Sequence, residues 1–251
     1  MTIMKGSAQL ADSEEEHGLL AMPEISLVIA AMNEEEGIGE CLERAKSAFE
    51  EHHIDGEIVV ADNSTDRSPA IAVAAGARVV TPDRLGYSYA CAVGIRHSRG
   101  KYIVLSDADG TYDIADLPRF LQPLRDGQAD LVIGSRFGGG IRDGAMPWLH
   151  RYIGNPLLTW GLNLALGTRV SDAHCGIRAF TREAWDRMDL TFIAEDFCSE
   201  MLRQMAKNKA RIQDMPVAYF QRRGRAKAGT LLHGWRCFRF LLWRIFLRVP
   251  I

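Results

Sequence analysis

An α/β domain with a mostly parallel central sheet flanked by helices is the fold that this sequence specifies. Four short, continuous apolar runs read as strands covered on both faces: Ile25–Ala31 (ISLVIAA), Glu57–Ala61 (EIVVA), Tyr102–Ser106 (YIVLS) and Asp130–Gly134 (DLVIG). Segments with helical spacing separate them, and that alternation implies right-handed βαβ units. The length of 251 residues, with 47% of them hydrophobic and 25% charged, fits one such domain with a sizeable core.

Taken in order, residues 1–22 are polar and acidic without apolar period and are expected to form a flexible tail. The domain then runs over 23–228. After the first strand, Gly37–Phe49 has helical spacing. The second strand leads to a helix over Asp66–Ala75, with Asp66 as its cap and Pro69 tolerated in the first turn. Arg78–Val80 is a short strand and Ser88–His97 a helix, and another helix near Leu117–Leu124 joins the last two clear strands. The run Gly138–Gly140 marks a mobile loop. Pro147–Leu166 is long, helical and rich in Leu and Trp, and 170–180 reads as an irregular loop. Trp185–Lys209 supplies one or two helices, Arg211–Tyr219 a strand, and 229–251 a last, basic amphipathic helix.

Charge and cysteine usage narrow the setting. The five cysteines form no CxxC pair and read as idle thiols of a reducing compartment, so a cytoplasmic protein is expected. Glu14, Glu15 and Glu16 stand where a signal peptide would need an apolar core, and no run of ~18 uncharged apolar residues suggests a membrane span. The net charge of −2 hides an asymmetry. Asp214 is the last acidic residue, and Arg222, Arg223, Arg225, Lys227, Arg236, Arg239, Arg244 and Arg248 follow it. That end is built to meet anions. Within 229–251, Trp235, Phe238, Leu241, Leu242, Ile245, Phe246 and Val249 share one face, a pattern that fits a helix lying on the cytoplasmic surface of an anionic membrane. The same pattern also fits a terminal helix packed on its own domain. The basic residues gather at the tail without an aromatic-basic platform, which argues against nucleic acid as a partner.

In open parallel sheets, ligands bind beyond the carboxyl ends of the strands. Here three strand ends carry polar clusters: Asn33-Glu34-Glu35-Glu36, Asp62-Asn63-Ser64-Thr65-Asp66 and Asp107-Ala108-Asp109. Each alone serves as a turn or helix cap. Together, and at the edge of one sheet, they form a candidate site for a hard cation such as Mg²⁺, which takes carboxylate oxygens and shares itself with phosphates.

These three clusters, spelled NEE, DNSTD and DAD, resemble those of the GT-A glycosyltransferases of family 2, over roughly residues 23–235. Within that family the chain is most similar to dolichol- or polyprenyl-phosphate hexosyltransferases. Four segments carry this likeness: LVIGSRF (Leu131–Phe137), HRYIGNPLL (His150–Leu158), DAHCGIRAF (Asp172–Phe180) and RRGRAK (Arg222–Lys227). The resemblance implies a GT-A fold and a nucleotide-sugar donor. Asn33, Glu34 and Asp62 would hold the base and ribose, Asp107 the ribose or sugar, and Asp109 with Asp107 a Mg²⁺ or Mn²⁺ ion. Arg136, Arg151, Arg178, Arg222 and Lys227 would face the donor diphosphate and an acceptor phosphate, with Asp107, Asp109 and Arg136 central to catalysis. The family usually has Ser where Cys175 and Ala226 stand, so two hydroxyl contacts to phosphate are in question.

Chemistry supports the phosphate acceptor. Arginine's planar fork matches phosphate oxygens two at a time. A phosphate monoester, with its second pKa near ~6, is nucleophilic at neutral pH without a base. Single in-line attack then predicts inversion at the sugar. A rival reading gives the same donor site a saccharide or small-molecule hydroxyl acceptor, with Asp196 of the Glu195-Asp196 pair as base. A second rival is an inactive GT-A scaffold at a membrane surface.

Overall fold

A computed structural model describes residues 22–189 and 196–224. It contains a seven-stranded sheet formed by β1 (Ile25–Ala31), β2 (Gly56–Asp62), β3 (Arg78–Val80), β4 (Tyr102–Asp107), β5 (Leu131–Ser135), β6 (Arg178–Thr181) and β7 (Ile212–Pro216), in the order β3-β2-β1-β4-β6-β5-β7. Only β6 runs against its neighbours β4 and β5; the other pairings are parallel. The sheet is therefore mostly parallel, as the apolar runs require.

The helices follow the strands: α1 (Ile38–Glu51), α2 (Ser68–Ala74), α3 (Tyr87–His97), α4 (Leu117–Arg125), the single turn α5 (Arg136–Gly139), α6 (Asn155–Leu166), α7 (Arg182–Asp186) and α8 (Phe197–Lys207). The reason for the pattern is burial. Leu27, Val28, Ile29, Val59, Val60, Ile103, Val104 and Leu105 are fully enclosed, because helices cover both faces of the central strands. α3 packs directly on β1 and β2. Gly94 permits this contact, since a Cβ there would stand 2.6 Å from Val28 Cγ1.

Two expectations are corrected. The loop expected over 170–180 ends in β6, which pairs Arg178 with Leu105 on one side and Ile133 on the other. The glycine run expected to be a mobile loop begins as the turn α5. Ser135 caps that turn by accepting from the Gly138 N–H, and Gly139 lies so close to Val217 that a Cβ would meet backbone at 2.3 Å. The long helix expected over Pro147–Leu166 is present from Trp148 onward, with a π-helical turn, His150–Gly154, before α6. The expected tail over 1–22 lies, but for Met22, outside the described residues, and so does the helix over 229–251. Among the described residues, no helix is long and apolar enough to cross a membrane.

Register sets the level of the strand ends. Ala31 of β1 pairs with Asp62 of β2, and Ala30 with Asp107 of β4. The carboxylates of DNSTD and DAD thus leave the sheet on either side of the end of β1. β5 runs in the same direction as β4, so Ser135 and the following Arg136 reach that same edge.

Gly100, entering β4, gives a direct test of this packing. Its N–H donates to Ser26 Oγ at 2.7 Å, and a Cβ would stand 2.4 Å from the Ser26 backbone nitrogen. Gly100→Ala is expected to cost about 1–3 kcal/mol of stability, read as a lower denaturation midpoint.

Candidate active site

The first two loops are laced together. Asn33 has a left-handed backbone (φ 53°), which Asn tolerates. Its N–H donates to Ser64 Oγ at 2.6 Å, and its side-chain oxygen accepts from the Thr65 N–H at 2.8 Å. The Glu34 N–H donates to Ser68 Oγ, and the Glu35 N–H to Asp66. Asp62 accepts from the Ser64 N–H at 2.6 Å. Asn33, Ser64 and Asp66 therefore act as braces. They present buried Asp62 and Glu34 at the sheet edge.

DAD completes the cluster. Asp109 is buried, and its Oδ1 accepts from the Thr111 N–H and Oγ1–H at 3.0 and 2.6 Å. Its other oxygen lies 3.3 Å from Arg222 Nη1, and the same guanidinium donates to Glu34. The Asp107 carboxyl is pushed up to about 7, first by burial and then by the charge of Asp109, against a hydrogen bond from Tyr87 and the pull of Arg222. Gly176 closes over this aspartate so tightly that a Cβ would come 2.4 Å from Asp107 Oδ2.

Arg222 brings positive charge to this acid group by bridging Glu34 and Asp109. A divalent cation fits the same need. Among the described residues no three His, Cys, Asp or Glu side chains converge as a closed metal site. Two aspartates of one turn suit Mg²⁺ or Mn²⁺, whose other ligands would be waters and substrate phosphates.

The arginines divide sharply. Arg136 is buried and spends its fork on Asp172, with Nε and Nη2 at 2.6 and 2.7 Å from the two carboxylate oxygens, and its guanidinium lies 5.3 Å from the Tyr219 ring. Arg178, expected to face phosphate, is fully enclosed in β6. It donates to the carbonyls of Cys175 and Ala173 at 2.6 and 3.2 Å, so the structure places it in the scaffold of the DAHCGIRAF turn and not in the crevice. Arg151 lies half-buried on the π-helical turn over Tyr152, and neighbouring His150 has its pKa lowered by burial and by the charge of Arg136. The charge of Arg136 thus reaches His150 on that turn. Lys227 and Ala226 lie outside the described residues.

Asp196, the candidate base, is buried at the cap of α8. It accepts from Ser199 Oγ at 2.5 Å and lies 3.1 Å from His174 Nε2. Glu200 is also buried, holding Arg203 and Gln204. Burial holds the Cys175 thiol up at about 12, and its sulfur sits 3.6 Å from the Tyr112 hydroxyl.

Sequence reasoning did not single out Asp172, Tyr112 or Tyr219. Asp172 neutralises Arg136, and the Tyr112 hydroxyl accepts from the Gly176 N–H at 2.8 Å, holding the glycine turn against Asp107. Asp172 had a signal, an acid in the quoted DAHCGIRAF. The tyrosines had none, because their role depends on a strap of chain after β7. That strap is tied to the edge by Val217 N–H to Ser135 O, Phe220 N–H to Thr111 O and Arg223 N–H to Asp109 O.

A parallel sheet interrupted by one reversed strand, with paired aspartates and a bridging arginine at its carboxyl edge, defines a GT-A transferase domain. Glucosyl-3-phosphoglycerate synthase from Mycobacterium tuberculosis, solved in complex with Mn²⁺, UDP and glucosyl-3-phosphoglycerate, superposes with a TM-score of 0.68. That match covers 100% of this chain and 88% of that one at 23% identity, a likeness of fold. The chain belongs to glycosyl transferase family 2, whose family model matches residues 26–188. The low-salt glycan biosynthesis hexosyltransferase Agl6 of Haloferax volcanii is 46% identical over 220 residues, which are 88% of this chain and 53% of that protein. The chain thus spans about half the length of that relative. The dolichyl-phosphate hexose transferase of the same organism is 32% identical over 84% of this chain and 89% of its own length.

Asp172→Asn tests the pairing of Arg136. Removing the anion leaves a buried guanidinium uncompensated, so a loss of about 3–5 kcal/mol is expected in a denaturant titration. A change below ~1 kcal/mol would show the pair to be loose.

Proposed function

We propose that this chain is the catalytic domain of an inverting hexosyltransferase that carries a hexose from a UDP- or GDP-sugar to a polyprenyl phosphate at the cytoplasmic face of a membrane. The observation that carries this reading is the acid cluster of Glu34, Asp62, Asp107 and Asp109 bridged by Arg222, set beside the buried Arg136–Asp172 pair. Relatives named for hexose transfer, one of them to dolichyl phosphate, support it.

In this reading Glu34 and Asp62, held rigid by the Asn33 and Ser64 braces, receive the nucleoside. Asp109 and Asp107 would hold Mg²⁺ or Mn²⁺, which would supply charge neutralisation to the donor diphosphate. Arg222 lies within reach of the same phosphates, because it already contacts Asp109. Arg151, on the π-helical turn, supplies positive charge toward the acceptor, and Lys227 of the RRGRAK segment is assigned to the same role. Transfer forms a bond from an acceptor phosphate oxygen to the anomeric carbon while the bond to the nucleoside diphosphate breaks. One displacement inverts the sugar carbon.

The acceptor itself supplies the nucleophile. A phosphate monoester needs no proton removed at neutral pH. A hydroxyl acceptor does, and Asp196 is poorly placed to help because it is buried with Ser199 and His174 on its carboxylate.

The test is transfer of radiolabel from a panel of UDP- and GDP-sugars to polyprenyl phosphate in detergent, with Mg²⁺ or Mn²⁺. Label is expected to enter the organic phase, and Asp109→Ala to lower the rate by about a hundredfold or more, since a cation's charge stabilisation is worth several kcal/mol. Asp196→Asn should retain most of the activity if it folds normally. Transfer to a saccharide hydroxyl that Asp196→Asn abolishes would replace the phosphate-acceptor reading. Failure to bind any donor in the presence of metal would turn the assignment toward a scaffold.

A further inference from the structure

Arg222 and Arg223 are neighbours in the chain, yet their side chains diverge. Arg223 sends its guanidinium to α1, where Nη2 lies 2.9 Å from Glu40 Oε1 and Nη1 contacts Glu40 Oε2. Its backbone N–H donates to the Asp109 carbonyl at 2.8 Å. Gly110, at φ 75°, lies against it, and a Cβ there would stand 3.4 Å from Arg223 Cδ. The strap is therefore clamped to α1 and to the DAD turn by contacts that do not involve the side chain of Arg222.

The Arg222 guanidinium is held less completely. Nη2 contacts Glu34, and Nη1 lies 3.3 Å from Asp109 Oδ2. The second distance is longer than the about 2.7–2.9 Å of a well-formed charge-assisted bond. Among the described residues, its Nε is buried and has no hydrogen-bond partner. A buried donor left unmet costs about 1–3 kcal/mol, so this pose does not satisfy the side chain. Its location matters as much as its strength. Asp109 Oδ1 is engaged by the Thr111 N–H and Oγ1–H, and Arg222 stands on the other oxygen.

That position creates a competition. A hard divalent ion lies about 2.1 Å from a carboxylate oxygen. A guanidinium aimed at the same oxygen blocks the approach, and its charge opposes that of the ion. An ion on Asp109 Oδ2 therefore excludes the Arg222 contact. Once released, the guanidinium has Nη1 and Nε to donate, and diphosphate oxygens accept from such donors.

We infer that Arg222 is a built-in counter-ion that keeps the divalent cation's place on Asp109, and that the cation displaces it onto the donor diphosphate. This rests on the metal-and-diphosphate reading of the site and goes beyond it, because it makes the two ligands depend on each other. The ion alone must expel Arg222 without giving it a new partner, and a diphosphate provides that partner. With Arg223 clamped, the exchange is a rotation of one side chain and leaves the strap in place.

The experiment measures Mn²⁺ binding to the full chain through the paramagnetic resonance signal of the free ion. It is run without nucleotide and with UDP or GDP, corrected for the ion that each nucleotide binds by itself. Wild type is expected to bind the ion about fivefold or more tightly when the matching nucleotide is present. Arg222→Gln should bind Mn²⁺ alone about fivefold or more tightly than wild type does, and should lose most of the gain from nucleotide. Arg44→Gln removes an exposed cation of the same sign from α1, where it pairs with Asp113, and should change the affinity by about twofold or less. Arg222→Met, which keeps the apolar stem, replaces Arg222→Gln if that variant does not fold. An Arg222 variant that binds Mn²⁺ no more tightly than wild type, while Asp109→Ala abolishes binding, overturns the inference and leaves the metal reading standing. Equal tightening in Arg44→Gln also overturns it, since net charge then accounts for the gain. Absence of any Mn²⁺ binding that depends on Asp109, with or without nucleotide, overturns the metal reading and this inference together.

Discussion

Four carboxylates crowded at one edge of a sheet cannot all remain charged without compensation, and much of the molecule is arranged around that constraint. Glu34, Asp62 and Asp109 are buried, and the carboxyl of Asp107 is pushed up to about 7 by burial and by its neighbour. Like charges this close repel strongly in a medium of low dielectric. The chain offsets part of the repulsion with Arg222, contributed from almost the far end of the described residues to Glu34 and Asp109. Turns stapled by Ser64, Thr65, Ser68 and Thr111 hold the acids in place, so the electrostatic tension is preorganised and not relaxed by movement. A site of this kind is suited to receive a cation together with a diphosphate, because each neutralises what the other brings.

The parts of this arrangement that were legible in the sequence are those that depend on local pattern. β1, β2, β4 and β5 appear as unbroken apolar runs because both faces of each are covered, and their polar ends follow from where those runs stop. β6 was not legible. It has only four residues, RAFT, and it begins with an arginine, so neither length nor hydrophobicity distinguishes it from a loop. That short strand decides the topology, since it inserts in reverse between β4 and β5. The π-helical turn inside the long helix was hidden for a related reason: it has the same composition as the helix around it.

The site was legible in its acids and much less so in its arginines. An acid at a strand end points to the ligand edge because of topology alone. An arginine is defined by its partner, and partners are far away in sequence. Arg136 meets Asp172, thirty-six residues on, while Arg178 turns its Nη2 to the carbonyls of Ala173 and Cys175 just before it. Both look from the sequence like phosphate ligands, because the planar fork suits carboxylates and carbonyls as well as phosphates. Only the tertiary structure separates the arginine that bridges the acids, Arg222, from the arginine that builds the wall, Arg178.

The two sides of the site share one physical support, the strap that follows β7. Its backbone bonds to Ser135 beside Arg136, to Thr111 beside Asp109 and to Asp109 itself, while Tyr219 packs on Tyr112 and under Arg136. Tyr112 in turn holds the N–H of Gly176, whose missing side chain allows the turn to approach Asp107. A chain of direct contacts thus runs from the acid cluster through Tyr112 and Tyr219 to the Arg136–Asp172 pair. Tyr112, Arg136 and Asp172 in this chain are buried, which makes small displacements costly. The reach of Arg222 into the acids depends on the same strap, because residues 220 and 223 are pinned on either side of it. Positioning of the cation and positioning of the arginine pair are therefore consequences of one backbone path. A substitution that loosened this path would disturb both sides together.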